Sequence, residues 1–345
     1  AGAPARALTE GFALVERLNA RGPAGSFDGL VRPPRAELEG WRRAGLSPSA
    51  LDAFAECPFR FFSARVLGLG EREEASERGE LSARARGQIY HAVLERFYRT
   101  LPEAAWSGRA DPQERLDAAL AAEFALNDWR ALGLYPLLWE AARDEMSAHL
   151  RAFAAWDFAR LRKDGFRPRL SEAALRGEPE GGAPGGVPWR GILDRVDADE
   201  AGRRFRVADY KTRRSTQWKK SLAQLAADGT SHQIPFYAEL AASALGAGWA
   251  FDGGELLFIE AEPGAERAST LSAEEWANAR APFLRGLFAR VESIAAGRFP
   301  IIPQDGERGH CSRCDFATVC RKAHGPSRAR AAALAARSAL DKLDA

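Results

Sequence analysis

Four cysteines constrain this chain more than any other feature. Cys57 stands alone, and Cys311, Cys314 and Cys320 follow at C-x2-C-x5-C spacing. In a cytosolic protein such a set reads as metal binding before disulfides. Four thiolates suit either a [4Fe–4S] cluster or a structural zinc. Zinc ribbons usually carry two C-x-x-C knuckles, and here there is one. If one group takes all four thiolates, the fold must bring residue 57 beside residue 311. Closing so long a loop costs on the order of 5 kcal/mol, so a group that holds it closed acts as a staple, and losing any one cysteine should destabilise the fold.

The 345 residues suffice for one large domain, or for a domain with a substantial helical insertion. No apolar run approaches the ~18 residues needed to span a bilayer. The start, Ala1 to Arg6, lacks a charged head followed by an apolar stretch. The expectation is a soluble cytoplasmic protein with no membrane partner. The only methionine is Met146, so the chain reads as a fragment or processed form of something longer. A net charge of +2 neither demands nor excludes nucleic acid, because binding needs a local basic surface rather than a basic total.

Residues 1–45, rich in Ala, Gly, Pro and Arg, read as an N-terminal connector with a short helix around Glu10–Leu18. Ser47 as N-cap and Pro48 at the first helical position predict a helix running toward Cys57 and the aromatics Phe59, Phe61 and Phe62. Glu71–Glu80 reads as a solvated charged loop. Ile89, Val93, Leu94 and Phe97 set a helical period from about Ser82 to Arg99. Alanine-rich helices follow over about 111–163, anchored by Trp129, Trp139, Phe153 and Trp156. The pattern then changes to strands at 169–175, 189–196 and 205–212, with a loop at Glu178–Pro188 and a turn at Asp199–Gly202. Helices are expected at 231–245 and 273–296, a short strand at 256–259, irregular chain from Phe299 to Cys320, and a basic tail after it. This order predicts an α/β fold with a mixed central sheet and a large helical insertion at about 105–165. The main domain is taken as 46–325 and the C-terminal tail as 326–345.

Side chains alternate across a strand. Ile192, Asp194 and Val196 should therefore share one face, and Phe205, Val207, Asp209 and Lys211 another. Both faces are apolar except for Asp194, Asp209 and Lys211. A buried carboxylate without a partner is costly, and two repel unless a cation sits between them. A divalent metal held by Asp194 and Asp209, with Lys211 beside it, resolves the conflict. Oxygen ligands suit Mg²⁺ or Mn²⁺. Asp-x-Lys alone is common at strand ends; the paired strand carrying Asp194 makes it informative.

Gly191-Ile-Leu-Asp-Arg-Val-Asp197 and Val207-Ala-Asp-Tyr-Lys-Thr212 resemble the nuclease signature of the RecB-like PD-(D/E)xK family. Gly87 to Glu95 resembles that family's helical histidine motif, and His232 to Ala238 its Gln-x-x-x-Tyr helix. The resemblance implies a restriction-endonuclease-like core. It implies His91, Asp194, Asp209 and the Tyr210 carbonyl as metal ligands, and Lys211 as the catalytic lysine. Gln233 and Tyr237, four apart on one helix face, would contact the DNA backbone. A lone cysteine before the core and three after it resemble the iron–sulfur nucleases of the AddB type. This implies a [4Fe–4S] cluster on Cys57, Cys311, Cys314 and Cys320, in addition to Mg²⁺ or Mn²⁺. The basic residues Arg213, Arg214, Lys219 and Lys220 follow the catalytic strand, where phosphate contact is expected.

The function so implied is metal-dependent, exonuclease-type DNA hydrolysis within a helicase–nuclease complex that processes broken ends. Its partners would be single-stranded or unwound duplex DNA and a helicase subunit. The rivals are a CRISPR-adaptation-type iron–sulfur nuclease and a non-catalytic DNA-binding scaffold. The helical insertion argues against the first, and intact Asp194, Asp209 and Lys211 against the second. No P-loop is present, so ATP use would come from elsewhere.

Overall fold

A computed structural model describes residues 3–31, 35–70, 81–178, 186–212, 220–306 and 309–340. The first helices are α1 (Ala3–Asn19), α2 (Arg35–Ala44), α3 (Pro48–Glu56), α4 (Pro58–Phe61) and α5 (Ala83–Thr100). Next come α6 (Glu103–Trp106), α7 (Gln113–Leu126) and α8 (Pro136–Asp164), then strands β1 (Arg167–Gly177), β2 (Trp189–Asp199) and β3 (Arg204–Lys211). The chain continues through α9 (Leu222–Ala227), α10 (Gln233–Leu245), β4 (Ala250–Phe258), β5 (Ala268–Ser272), α11 (Ala273–Ala295) and α12 (Gly325–Leu340). It divides into two compact units: residues 1–72, 182–188 and 284–345 in one, and 73–181 and 189–283 in the other.

The second unit holds the sheet, in the order β1-β2-β3-β4-β5. Only β3 and β4 run parallel; the other pairs are antiparallel. The mixed α/β architecture is that of a restriction-endonuclease-like fold. Parallel neighbours require a crossover, and α9 and α10 supply it. Ala208 and Tyr210 of β3 and Leu257 of β4 join a core with Tyr90, Val93 and Phe97 of α5 and Met146, Leu150 and Phe153 of α8. Helix α10 packs on the sheet through two glycines. A Cβ on Gly254 would lie 2.2 Å from Ile234 Cγ2, and one on Gly191 would lie 2.7 Å from Tyr237 Cε1. Phe236 of the same helix stacks on Trp189 at 4.2 Å.

The first unit is helical. Ser47 caps α3 by accepting from the Ala50 amide, with Pro48 opening the helix. Phe54, Phe61, Phe62 and Phe299 pack with ring centroids 4.7–6.4 Å apart. The Arg330 guanidinium of α12 grips Asp28 at 2.8 and 2.9 Å and the carbonyls of Ala20 and Leu18.

Several sequence expectations need correction. Residues 1–45 contain helices α1 and α2 rather than one short helix, and the tail forms helix α12 through residue 340. The strand expected at 256–259 starts at Ala250, and β5 is an addition to the expected strands. Ile192 does not share the buried environment of Asp194 and Val196; it is 58% exposed. The β2–β3 pairing begins only at Arg195, so Ile192 lies where β2 pairs with β1 alone. The charged loop at 71–80 lies outside the described residues, as do positions 179–185 of the Gly/Pro loop and Arg213, Arg214 and Lys219 of the basic run. Lys220 is described, and pairs with Asp228 at 2.5 Å.

Candidate cation centre and cysteine site

Helix α5, starting at the Ser82 N-cap, carries His91 to Glu172 and Asp194 in the middle of β1 and β2. His91 Nδ1 lies 2.9 Å from Glu172 Oε1 and 3.7 Å from Asp194 Oδ1. Ligand atoms of His91, Glu172 and Asp194 all lie within 4.8 Å of one another. Asp194 Oδ2 accepts from the Tyr210 amide at 2.7 Å. Beside them, Lys211 Nζ lies 2.6 Å from Asp209 Oδ2 and donates to Gln233 Oε1 at 2.7 Å. Gln233 Nε2 donates in turn to Asp209 Oδ1. The Tyr237 hydroxyl lies one turn along α10, in hydrogen-bond contact with Gln233.

The structure thus gathers His91, Asp194, Asp209, Lys211, Gln233 and Tyr237 in one unit. Tyr210 is engaged through its N–H and through a buried ring. The residue missed was Glu172. It is the one acid of β1, in an otherwise apolar and neutral stretch from Leu170 to Leu175, and that was the available signal. Its φ of 46° is left-handed, which costs a non-glycine residue about 1 kcal/mol or more. Such strain concentrates at functional positions.

Burial pushes the Asp194 carboxyl well above the usual range, and the charge of Asp209 pushes it further. Burial also raises Asp209, against the opposing pull of Lys211. Burial disfavours a charged His91, but its hydrogen bond to Glu172 and the nearby carboxylates outweigh this and raise it. Burial and mutual repulsion thus disfavour charge on the two aspartates, a cost that a cation between them would offset. Two oxygens from Glu172 and Asp194, an imidazole and the adjacent Asp209 fit a divalent ion of the Mg²⁺ or Mn²⁺ class. Imidazole favours Mn²⁺ of the two.

In the other unit Cys57, Cys311, Cys314 and Cys320 line one cavity. None forms a disulfide. The Gln304 amide donates to Cys311 Sγ at 3.4 Å, and the amides of Phe316 and Lys322 bond Cys314 and Cys320. Amide donors to sulfur are what thiolate ligands use. His310 lines the same cavity, and its two buried ring nitrogens have no hydrogen-bond partner among the described residues. Burial raises the Cys314 and Cys320 thiols; binding a metal would deprotonate them. The residues fit a thiolate-held group.

A family profile described as the PD-(D/E)XK nuclease superfamily matches residues 45–321. The chain is 33% identical over 193 residues to an ATP-dependent helicase/deoxyribonuclease subunit from Symbiobacterium thermophilum. That alignment takes in 49% of this chain and 15% of the relative, so the chain spans a small part of the relative's length. The resemblance to RecB-like nucleases drawn from the motifs holds. With the profile covering both the acidic site and the cysteines, the chain belongs to the PD-(D/E)XK nuclease superfamily.

Proposed function

We propose that this chain hydrolyses DNA phosphodiester bonds with a divalent cation held by His91, Glu172, Asp194 and Asp209, and with the Tyr210 carbonyl as a further ligand. The observation that carries this reading is the approach of His91, Glu172 and Asp194 to within 4.8 Å beside the Asp209–Lys211–Gln233 triad. When bound, the cation supplies Lewis acidity and makes a water nucleophilic near neutral pH. The chain's own part is positional and electrostatic. Asp209 and Gln233 fix the direction of Lys211, and its ammonium is placed to neutralise charge developing on a phosphate. Tyr237 is placed to donate to a backbone phosphate.

The thiolates are assigned to a [4Fe–4S] cluster. The four cysteines line one cavity, and their sequence carries a single C-x-x-C knuckle where zinc ribbons usually carry two, which favours the cluster. Iron, sulfide and zinc analysis of the purified protein decides this directly. The relative's name supports service beside a helicase on DNA ends, with cleavage of the exonuclease type. Co-purification with a helicase tests that setting.

The test of activity uses end-labelled single-stranded DNA, with and without Mg²⁺ or Mn²⁺, beside Lys211→Ala. Metal-dependent cutting that the substitution abolishes supports the assignment. DNA bound but left intact by both proteins, with a helicase present, removes it.

A further inference from the structure

Beside the candidate cation site lies a second set of charges that the catalytic reading does not use. Arg195, Asp157 and Asp197 have side chains with 0% exposure. Asp157, from α8, accepts from Arg195 Nη1 and Nη2, from the Tyr98 hydroxyl, and from Arg160 Nη2 at 2.8 Å. Arg195 donates on to the Tyr210 hydroxyl at 2.8 Å. Its Nε pairs with Asp197 at 2.8 Å. Its guanidinium lies 4.8 Å from the Tyr98 ring centre and 5.5 Å from that of Tyr210.

Buried ion pairs seldom stabilise a fold more than apolar packing of the same volume. In some proteins they instead fix one arrangement. Each of α5, β2 and β3 carries a candidate ligand and also a member of this network. Tyr98 sits two turns after His91 on α5. Arg195 follows Asp194 on β2. Tyr210 stands between Asp209 and Lys211 on β3 and gives its amide to Asp194. Neighbouring residues of a strand project to opposite faces. The network on one side therefore grips the backbone whose next residues carry the acids. A small divalent cation demands ligands near 2.0–2.1 Å in near-octahedral array, so sub-ångström slippage of α5 against β2 and β3 would be felt as lost affinity.

We propose that Asp157 and Arg195, acting through Tyr98 and Tyr210, are positioning residues that register α5, β2 and β3 so that His91, Asp194 and Asp209 meet around one cation. This rests on the reading of that site as a cation site. The test titrates the full chain with Mn²⁺ alone, following free Mn²⁺ by electron paramagnetic resonance, and measures Tm separately without cation. Tyr98→Phe and Tyr210→Phe each delete one hydroxyl and keep the ring, so both should fold. Leu120→Ala loosens the same core from α7 and serves as the structural control. Expected is a Kd for Mn²⁺ raised about tenfold or more in each tyrosine variant and unchanged in Leu120→Ala, although all three melt lower. Mn²⁺ affinity equal to the parent in both tyrosine variants overturns the proposal and leaves the cation site standing. A parent protein whose Mn²⁺ binding is absent, or survives Asp194→Asn, overturns the cation reading and the proposal with it.

Discussion

Lys211 reaches both Asp209 and Gln233, so its charge is held in place before any substrate arrives. Lys211→Ala should lower kcat by about 10²–10³, the effect of losing one preorganised donor, while Mn²⁺ binding by calorimetry stays intact. Glu172→Gln should do the reverse, weakening Mn²⁺ before it slows a saturated site. A third residue speaks to pH. Burial pushes Asp197 up to about 6 from 3.8, with Arg195 opposing. A carboxyl whose folded pKa is raised favours folding fully below its unfolded value, and that contribution is lost as pH rises through the folded one. Across about pH 4 to 6 the loss is on the order of 2–3 kcal/mol. Denaturant unfolding of Asp197→Asn at a series of pH values should show a flatter profile there; an unchanged slope removes Asp197 as the cause. Lys211 and the aspartates were legible because their spacing in adjacent strands repeats a known chemical pattern. Glu172 was not, since a lone acid in a strand becomes a candidate ligand only once β1 is seen lying against β2. Asp157 is 38 residues from Arg195 in sequence, and nothing local announces the pair.

At the scale of elements, the site depends on how closely α10 lies on the sheet. Gly254 leaves room for Ile234, and a Cβ there would meet Ile234 Cγ2 at 2.2 Å. Gly254→Val should therefore lift the start of α10, cost about 1–3 kcal/mol as overpacking does, and pull Gln233 away from Lys211. A lower Tm with a reduced cleavage rate is the expected pair of results; normal values for both would show that the helix accommodates the extra carbons. The same stretch explains why the sequence pattern shortens β4. Asp252, Gly253 and Gly254 interrupt its apolar run, and pairing of the two glycines with both β3 and β5 carries the strand through them. Helix α10 and helix α5 were legible from their periods and motifs. Helix α12 was not, because its contact with Asp28, Ala20 and Leu18 through Arg330 spans about 300 residues of sequence.

For the whole molecule, the two proposed ligand sets divide cleanly. All four cysteines fall in the unit made of residues 1–72, 182–188 and 284–345, and His91, Glu172, Asp194 and Asp209 fall in the other. Cys57→Ser should lower Tm and protease resistance while leaving the Kd for Mn²⁺ of the surviving folded protein as in the parent; an altered Kd would mean that the two sites are coupled. The sequence pattern is read as one domain over 46–325, because flanking thiols do not show which segments pack together; the grouping of 1–72 with 284–345 rests on contacts far apart in the chain. Among the described residues no helix is long and apolar enough to cross a membrane.

The division has a consequence for a cell short of iron. With the residues of the proposed cluster and of the proposed cation site in different units, scarcity of iron would act on how many molecules survive rather than on how fast each one works. Nuclease output would fall through protein abundance, and adding magnesium or manganese would not restore it.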